Sequence, residues 1–451
     1  MKALSPFSLL LGGLWFALAA SGNAQSYTFT TIAGVAQVHG TADGTNNSAQ
    51  FYQPSGLALD GAGNLYVADL LNHTIRKVAP VGTNWVVSTL AGLPGTLGSD
   101  DGTNDQARFN RPSAVAVDDA GNLFVTDLYN QTIRKLTHVG TNWVVSTVAG
   151  LAGAKGSDDG TNSDARFDDP QAVALDSSGK LYVTDRLNCT IRGVTPVGTN
   201  WVVSTLAGTP PDLYPGFADG TNGDAEFFWP FGIARHSGGN LYVADFGNYL
   251  IRRIAPLGPD WVTTTVAGVP PGDTGPKAGT NDGPGSQAMF NSPNGIAVDA
   301  SETLYVTDQF NSTIRKITSS GSSWVVSTVG GLGLAPGTND GVGAMARFYH
   351  PSGIALDRAG NLYVVDTGNH TIRKGTPSSV SSPTLEILPV ANQVVLSWPI
   401  SASNYVLETT HALGSADSWM ALSNGVSVAG DNYFFTNDVG AAPGFFRLHG
   451  R

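Results

Sequence analysis

The stretch PSGLALDGAGNLYVADLLNHTIRKVAPVGTNWVVSTLAG, from Pro54 to Gly92, decides the fold of this chain of 451 residues. The chain contains six copies of it, spaced about 60 residues apart, and a period of this size indicates a repeat architecture. Each copy is then one supersecondary unit that packs against its neighbours in the sequence. The copies open at Pro54, Pro112, Pro170, Pro230, Pro293 and Pro351.

One copy predicts four short antiparallel strands. The apolar runs are separated by segments rich in Asp, Gly and Asn, which are the residues that tight turns require. Four such strands joined by tight turns form one blade of a β-propeller. In the first copy the predicted strands are Ser55–Asp60, Leu65–Asp69, Thr74–Val78 and Trp85–Leu90.

The two ends of the repeat array complement each other. The sixth copy leaves the pattern at Thr376 and lacks its WVVSTLAG segment, whereas YTFTTIAG at Tyr27–Gly34 matches that segment in pattern. A strand from the N-terminus that completes the sixth blade would remove two exposed sheet edges. We therefore predict an all-β fold, a six-bladed β-propeller closed by the N-terminal strand.

The repeat also resembles the NHL-repeat family. The resemblance is carried by PSGIALDRAGNLYVVDTGNHTIRK at Pro351–Lys374, and all six copies share the pattern, from Tyr27 to Thr376. The added TLAG, DGTN and ARF elements resemble the bacterial secreted and teneurin-like branch. The resemblance implies a propeller but not one function, because NHL propellers include protein-binding and RNA-binding modules as well as lyases.

The segments outside the repeats predict export and a second domain. Lys2, the apolar run Leu9–Ala20 and the small residues of Gly22–Ala24 form the pattern of a secretory signal cleaved after Ala24. After the repeats, TPSSVSSP has the composition of a linker, and strand-like runs such as QVVLSWP follow it. The predicted organisation is a signal peptide at 1–24, a propeller at 25–375, a linker at 376–383 and a small β-sandwich-like domain at 384–451.

Composition excludes several classes of partner. The net charge is -11, which disfavours nucleic acid and anionic lipid because both need clustered Lys and Arg. No stretch after the signal is apolar enough to cross a membrane. Cys189 is the single cysteine, so no internal disulfide forms. We expect a secreted monomer that inserts into no membrane and binds no nucleic acid.

Most polar residues of the repeat have two interpretations. A recurring Asp precedes the turn after the second strand, and an Arg follows in the third strand. We expect this Asp to cap its turn and to pair with the Arg in every blade. The alternative is that these residues form a ring of ligand contacts. The DGTN elements have the residues of turns, and the alternative is that their oxygens are ligands of Ca²⁺. The residues concerned are Asp69, Asp127, Asp185, Asp245, Asp308 and Asp366, the arginines Arg76, Arg134, Arg192, Arg252, Arg315 and Arg373, and the leading DGTN residues Asp43, Asp101, Asp159 and Asp219.

The fourth copy departs from the pattern. Arg235-His236 stands where other copies have Val-Asp or Leu-Asp, and Trp229 and Phe231 flank its proline. Such local departures are where function tends to lie, and aromatic rings beside a positive group suit a sugar or peptide ring. The hypothesis is a ligand site on the face that carries the long interblade loops, formed by Trp229, Phe231, Arg235, His236 and Tyr214; sequence drift with compensating repacking is the alternative.

Catalytic chemistry is not indicated. The propeller has two glutamates, Glu226 and Glu302, and its histidines do not recur at one inward position. Closure makes the turns of His73 and His370 neighbours, so a weak metal site there is conceivable. We predict no catalytic residue, no metal and no cofactor, and a module that binds protein, peptide or glycan. A lyase or lactonase in the channel, and a passive part of a cell-surface assembly, are the alternatives.

Overall fold

The computed structural model divides the chain into two units, one at Ser26–Ser378 and one within Ser379–Arg451. The predicted signal peptide lies outside the residues that the structure describes. Within the residues that it describes, no helix is long and apolar enough to cross a membrane. The structure describes residues 26–210, 216–272, 275–321, 323–378, 385–390, 393–399, 405–410, 420–422, 425–429, 432–438 and 445–450.

The first unit consists of six antiparallel sheets, one for each sequence copy, and confirms the predicted six-bladed propeller. We number the blades 1 to 6 by the order of their opening prolines. The first, innermost strands are Pro54–Leu59, Pro112–Val117, Pro170–Leu175, Pro230–Arg235, Pro293–Val298 and Pro351–Leu356. The second strands are Leu65–Asp69, Leu123–Asp127, Leu181–Asp185, Leu241–Asp245, Leu304–Asp308 and Leu362–Asp366.

The third and fourth strands are longer than the sequence predicted, because the ladder continues through Pro80 to a two-residue turn at Gly82 and Thr83. The third strands are Thr74–Val81, Thr132–Val139, Thr190–Val197, Leu250–Leu257, Thr313–Ser320 and Thr371–Pro377. The fourth strands are Asn84–Ala91, Asn142–Ala149, Asn200–Ala207, Asp260–Ala267, Ser323–Gly330 and, in blade 6, Tyr27–Ala33.

Each blade also has a fifth strand that the sequence analysis treated as a turn. The Gly-Thr of the DGTN element pairs with the fourth strand, as Gly44 and Thr45 do with Val87 and Val86. These two-residue strands shorten the outer edge that each blade exposes. They are Gly44–Thr45, Gly102–Thr103, Gly160–Thr161, Gly220–Thr221, Gly283–Pro284 and Gly341–Val342. Short 3-10 turns lie at Asn46–Ser48, Asn104–Gln106, Asn162–Asp164, Asn222–Asp224, Gly343–Met345, Leu70–Asn72, Leu128–Asn130 and Thr367–Asn369.

The ring closes as predicted. Tyr27–Ala33 pairs with the third strand of blade 6, so that Phe29 lies opposite Gly375. A Cβ atom on Gly375 would lie 2.5 Å from the Phe29 ring, and one on Gly330 of blade 5 would lie 2.3 Å from it. The N-terminal strand therefore fits blade 6 through a large side chain that fills the space left by two glycines.

Adjacent blades share one aromatic contact around the ring. The Trp of a fourth strand packs edge to face on the Tyr or Phe of the second strand in the preceding blade, as Trp85 does on Tyr363 at 5.9 Å. Tyr27 takes the place of this Trp in blade 6 and contacts Tyr305 at 6.1 Å. These contacts bury the faces of neighbouring blades against each other.

The second unit has two sheets. The described strands Glu386–Val390, Gln393–Pro399, Val426–Ala429 and Asn432–Asp438 form one, and Tyr405–Thr410, Met420–Ala421 and Phe445–Gly450 form the other. Leu396 and Trp398 of the first sheet share a buried cluster with Leu407 of the second. This arrangement confirms the predicted small C-terminal β-domain.

Candidate functional site

The propeller has two faces with different loops. The loop face carries the turn between the second and third strands, such as Leu70–His73, and the interblade connections, such as 92–111. The opposite face, called here the hairpin face, carries the turns at 60–64 and 82–83 and their equivalents. Because each inner strand starts at its proline, the residues just before the prolines lie on the loop face, around the axis.

A buried ion network repeats in each blade and holds the loop face in place. In blade 1, Arg76 is 1% exposed and bonds Asp69 and Asp43, each at 2.7 Å. Its guanidinium lies 5.1 Å from the centre of the Phe51 ring. Asp69 also accepts the backbone N–H of Tyr52. The predicted pairing of Asp with Arg is thus present, and a second Asp from the DGTN element joins it.

This network belongs to the scaffold. Burial raises the pKa of the Asp69 carboxyl to about 6, and the Arg76 guanidinium acts in the opposite direction. Asp43 is also bonded by the backbone N–H and the hydroxyl of Thr89. Removing one partner of such a buried pair leaves an uncompensated charge, which is strongly destabilising. Within the described residues, no three His, Cys, Asp or Glu side chains cluster as metal ligands.

The residue before each opening proline has a left-handed backbone. The φ angle at these six positions lies between 47° at Gln53 and 59° at Ser292, although none is glycine. Non-glycine residues in this region are strained and persist only where the surroundings hold them. The six side chains all differ, whereas the backbone repeats: Gln53, Arg111, Asp169, Trp229, Ser292 and His350.

In blades 1 to 3, a contact from the preceding blade holds this strained residue. The backbone N–H of Arg111 donates to His73 Nδ1 at 3.1 Å, and that of Gln53 donates to His370 Nδ1 at 3.1 Å. The Asp169 N–H donates in the same way to Gln131 Oε1 at 2.6 Å. The histidines that the sequence analysis considered as metal ligands therefore act as hydrogen-bond acceptors between blades.

We call the part of the loop face nearest the propeller axis the mouth. Two more sets of equivalent side chains from the blades meet there. In blades 4 to 6, the second residue of the inner strand contacts the first residue of the turn after the second strand. Phe231 stacks on Phe246 at 4.1 Å, and Asn294 donates to Gln309 at 3.0 Å. The third residue of each inner strand is Gly or Ala, because the inner strand of the next blade packs closely against it. A Cβ atom on Gly232, for example, would lie 2.4 Å from the backbone carbonyl oxygen of Asn294.

One half of the mouth carries a continuous row of rings, which we call the aromatic arc: Phe231, Phe246, Phe310, His350 and Tyr349. After the Phe231–Phe246 stack, Phe246 meets Phe310 at 6.2 Å, Phe310 meets His350 at 5.0 Å and His350 meets Tyr349 at 4.5 Å. The arc spans blades 4 to 6. Phe310 is 44% exposed, so the arc presents aromatic surface to solvent.

The flank of the arc is charged. Arg186 of blade 3 lies 5.7 Å from the centre of the Phe231 ring and pairs with Asp169 at 2.5 Å. Lys155 pairs with Asp168 at 2.7 Å. The mouth therefore combines an aromatic half with a flank of paired charges, which is the composition of many ligand sites.

The structure separates the residues of the predicted ligand site. Trp229, which is 40% exposed, and Phe231 lie at the mouth, at the start of their inner strand. Arg235 and His236 lie at its other end, on the hairpin face, roughly 16 Å away along the strand. Tyr214 lies outside the described residues.

Arg235 and His236 take part in packing between blades. Arg235 bonds the hydroxyl of Tyr182 in blade 3. His236 Nδ1 accepts the N–H of Gly238 at 3.2 Å, as the Asp of other blades does in the same turn. Such contacts are what the alternative of drift with compensating repacking predicts for these two residues.

Sequence reasoning missed Arg186, Phe246 and Phe310. They lie in the turn after the second strand, which the sequence analysis treated as scaffold in all copies. A comparison of the six copies column by column would have found them. The first residue after the second-strand Asp changes its chemistry between blades: Leu70, Leu128, Arg186, Phe246, Gln309 and Thr367. The second residue, which includes Phe310, also changes: Leu71, Tyr129, Leu187, Gly247, Phe310 and Gly368.

Comparison with known proteins identifies the repeat. Residues 51–78, 109–136 and 348–374 match the NHL repeat. Protein SUPPRESSOR OF QUENCHING 1, chloroplastic, from Arabidopsis thaliana is 30% identical over 71% of this chain and 30% of its own length. NHL repeat-containing protein 2 from Gallus gallus is 28% identical over 75% of this chain and 48% of its own.

The fold agrees with this identification. An auxiliary nutrient binding protein from Bacteroides ovatus superposes with a TM-score of 0.57 at 19% identity, over 79% of this chain and 78% of its own. This chain is an NHL-repeat protein with a propeller fold. It spans between 30% and 48% of the length of the two relatives above, so their activities as whole proteins are not carried over.

Proposed function

We propose that the chain is an exported NHL propeller that binds a protein, peptide or glycan at the mouth on its loop face. The aromatic arc carries this proposal. Phe310 of the arc exposes 44% of its surface, and Trp229, which lies two residues before Phe231, exposes 40%. At Trp229 the backbone conformation repeats in all six blades while the side chain differs. Exposed aromatic rings beside an Arg are the residues that most often anchor a ligand.

Other observations support a binding role outside the cell. Residues 1–24 have the pattern of a secretory signal. The same fold serves a protein described as an auxiliary nutrient binding protein, so the scaffold is compatible with this role. Intact mass of the exported product should place its first residue at Gln25, and a product that keeps residues 1–24 would contradict export.

The binding proposal is tested on the purified protein from Gln25 to Arg451 with glycan and peptide arrays. We expect saturable binding of at least one compound, and Trp229→Ala should weaken it by about tenfold or more at an unchanged melting temperature. An array without any saturable ligand, or turnover of the compound in place of binding, would favour the structural or the lyase alternative.

A further inference from the structure

Neutral hydrogen-bonding side chains line the mouth beside the aromatic arc. The second residues of the inner strands are Ser, Gln or Asn in every blade except blade 4. Ser113, Gln171 and Ser352 are buried, whereas Asn294 and its partner Gln309 are half-buried and reach the mouth. Asn294 Nδ2 donates to Gln309 Oε1, which leaves the side-chain oxygen Oδ1 of Asn294 and the side-chain nitrogen Nε2 of Gln309 for a ligand. Amides and hydroxyls both donate and accept, as the hydroxyls of a sugar do.

The charges next to the arc are already paired. Arg186 is held by Asp169, and Lys155 by Asp168. An ionic ligand at the arc would have to compete with these pairs, and its desolvation would remain uncompensated. A neutral ligand meets no such cost.

The aromatic arc is also extended. It joins five rings across three blades, with Phe310 exposed near its middle. Aromatic side chains offer large apolar faces, and the C–H face of a sugar ring is apolar enough to pack on them. A row of rings therefore fits several sugars joined in a line.

From these features we infer that the ligand of the mouth is a neutral, linear oligosaccharide. The inference rests on the proposed function and names its ligand class. Sugar rings pack on the exposed ring of Phe310 and on Trp229 beside the arc. The side-chain amides of Asn294 and Gln309 bond the sugar hydroxyls.

The test uses the purified chain from Gln25 to Arg451 and isothermal titration calorimetry. The probes are neutral hexasaccharides of β-1,4-glucose, β-1,3-glucose, α-1,4-glucose, β-1,4-mannose and β-1,4-xylose, with an α-1,4-galacturonate hexamer as the anionic comparison. At least one neutral probe should bind, and the galacturonate should not. Phe310→Ala should weaken the neutral probe by about tenfold or more.

Tyr129→Ala is the matched control. Tyr129 occupies the position of Phe310 in the turn of blade 2 and is 42% exposed, but it lies outside the aromatic arc. Its truncation should change the affinity less than about twofold. Trp229→Ala serves as the second variant if Phe310→Ala fails to fold.

Each result decides the inference. Failure of every neutral probe overturns it, as does equal weakening by Tyr129→Ala and Phe310→Ala. If a peptide from the array binds instead and Phe310→Ala abolishes its binding, the ligand class is wrong and the binding function stands. If no compound of any class depends on Phe310 or Trp229, both proposals fail.

Discussion

Glu302 shows how one blade compensates for a change in its neighbour. In blade 1, Asp60 accepts bonds from the Tyr66 hydroxyl at 3.1 Å and from Asn64 at 2.8 Å. Blade 4 has His236 at that position, and Glu302 of blade 5 accepts the corresponding bonds from Tyr242 and Asn240. The carboxylate has moved to the adjacent blade while the phenol keeps its acceptor.

This compensation is testable by a double-mutant cycle. Glu302→Ala should lower the free energy of unfolding by about 1–3 kcal/mol, because the Tyr242 hydroxyl loses its acceptor. Adding His236→Asp should restore most of that loss, because the new Asp lies where Asp60 lies in blade 1. Chemical denaturation of the four proteins measures both effects. Additive losses would show that His236 and Glu302 are not coupled in this way.

Cys189 is a buried thiol whose reactivity is predictable. It is 3% exposed, and burial raises the pKa of its thiol to about 11. At pH 8 only about one thiol in a thousand is then ionised, and the thiolate is the reactive form. A thiol-specific chromogenic reagent should label the native protein very slowly and the denatured protein at once. Rapid labelling of the native protein would mean that the turn of blade 3 opens.

At the residue scale, the sequence revealed some site residues and hid others. Trp229 and Phe231 were found because they flank a proline in an aberrant copy. Arg235 and His236 came from the same copy, but an inner strand carries its two ends to opposite faces, which a linear pattern does not show. Phe246 and Phe310 were hidden because their neighbours in the turn are constant.

The turn after the second strand joins blades through a side-chain acceptor. Burial lowers the pKa of His73 and of His370 from the ordinary value of 6.5, with Arg111 and His39 respectively adding to the effect. Protonation would also prevent Nδ1 from accepting the backbone N–H of the next blade. In the unfolded chain these histidines bind protons at higher pH, so the free energy of unfolding falls as pH drops through 6.5.

Blade 2 supplies the control for this prediction. Gln131 accepts the same kind of bond and does not titrate. The variant His73→Gln/His370→Gln should lose less stability than the parent between about pH 7.5 and about pH 5.5. Thermal unfolding across this range measures the difference. Identical pH profiles would show that the two histidines do not weaken the blade contacts on protonation.

The N-terminal strand is matched to blade 6 by size. Phe29 lies opposite Gly375, whereas the corresponding pair in blade 1 is Val87 and Val78. Phe29→Val should destabilise the protein by about 1–3 kcal/mol, because it leaves a cavity. Adding Gly375→Val should recover part of this loss by rebuilding the pair of blade 1. A double variant less stable than Phe29→Val would contradict the match.

At the element scale, alternation and turn residues predicted four strands of each blade, but not the fifth strand, whose partner lies far away in the sequence. The DGTN elements contain ordinary turn formers, and their pairing with the fourth strand depends on bonds such as Asp43 to Thr89, which lie 46 residues apart. The complementary sizes of Phe29 and Gly375 likewise became visible only in the closed ring.

Closure of the ring depends on one strand from the N-terminus. Deleting residues 26–33 uncovers the third strand of blade 6 and the fifth strand at Gly341–Val342. The melting temperature should fall by more than about 10 °C, or the protein should aggregate. A synthetic peptide of Tyr27–Gly34 added in trans should restore part of the stability. A truncated protein that melts like the parent would mean that the ring is stable while open.

The architecture of the whole molecule followed from counting copies, since a sixth copy without its last strand requires a strand from elsewhere. Ligand identity did not follow, because the aromatic arc and its charged flank are assembled from side chains of blades 3 to 6 that lie far apart in the sequence. Phe231 and Tyr349 end up in one row only because the propeller turns each blade toward the same axis.

The most direct measurement of the central claim is a crystal structure of the protein from Gln25 to Arg451 with the tightest ligand found on the arrays. We predict that the ligand lies at the mouth on the loop face, with Phe310 and Trp229 in contact with its rings or side chains. Ligand density on the hairpin face, beside Arg235 and His236, or on the C-terminal unit, with the mouth empty, would contradict the claim.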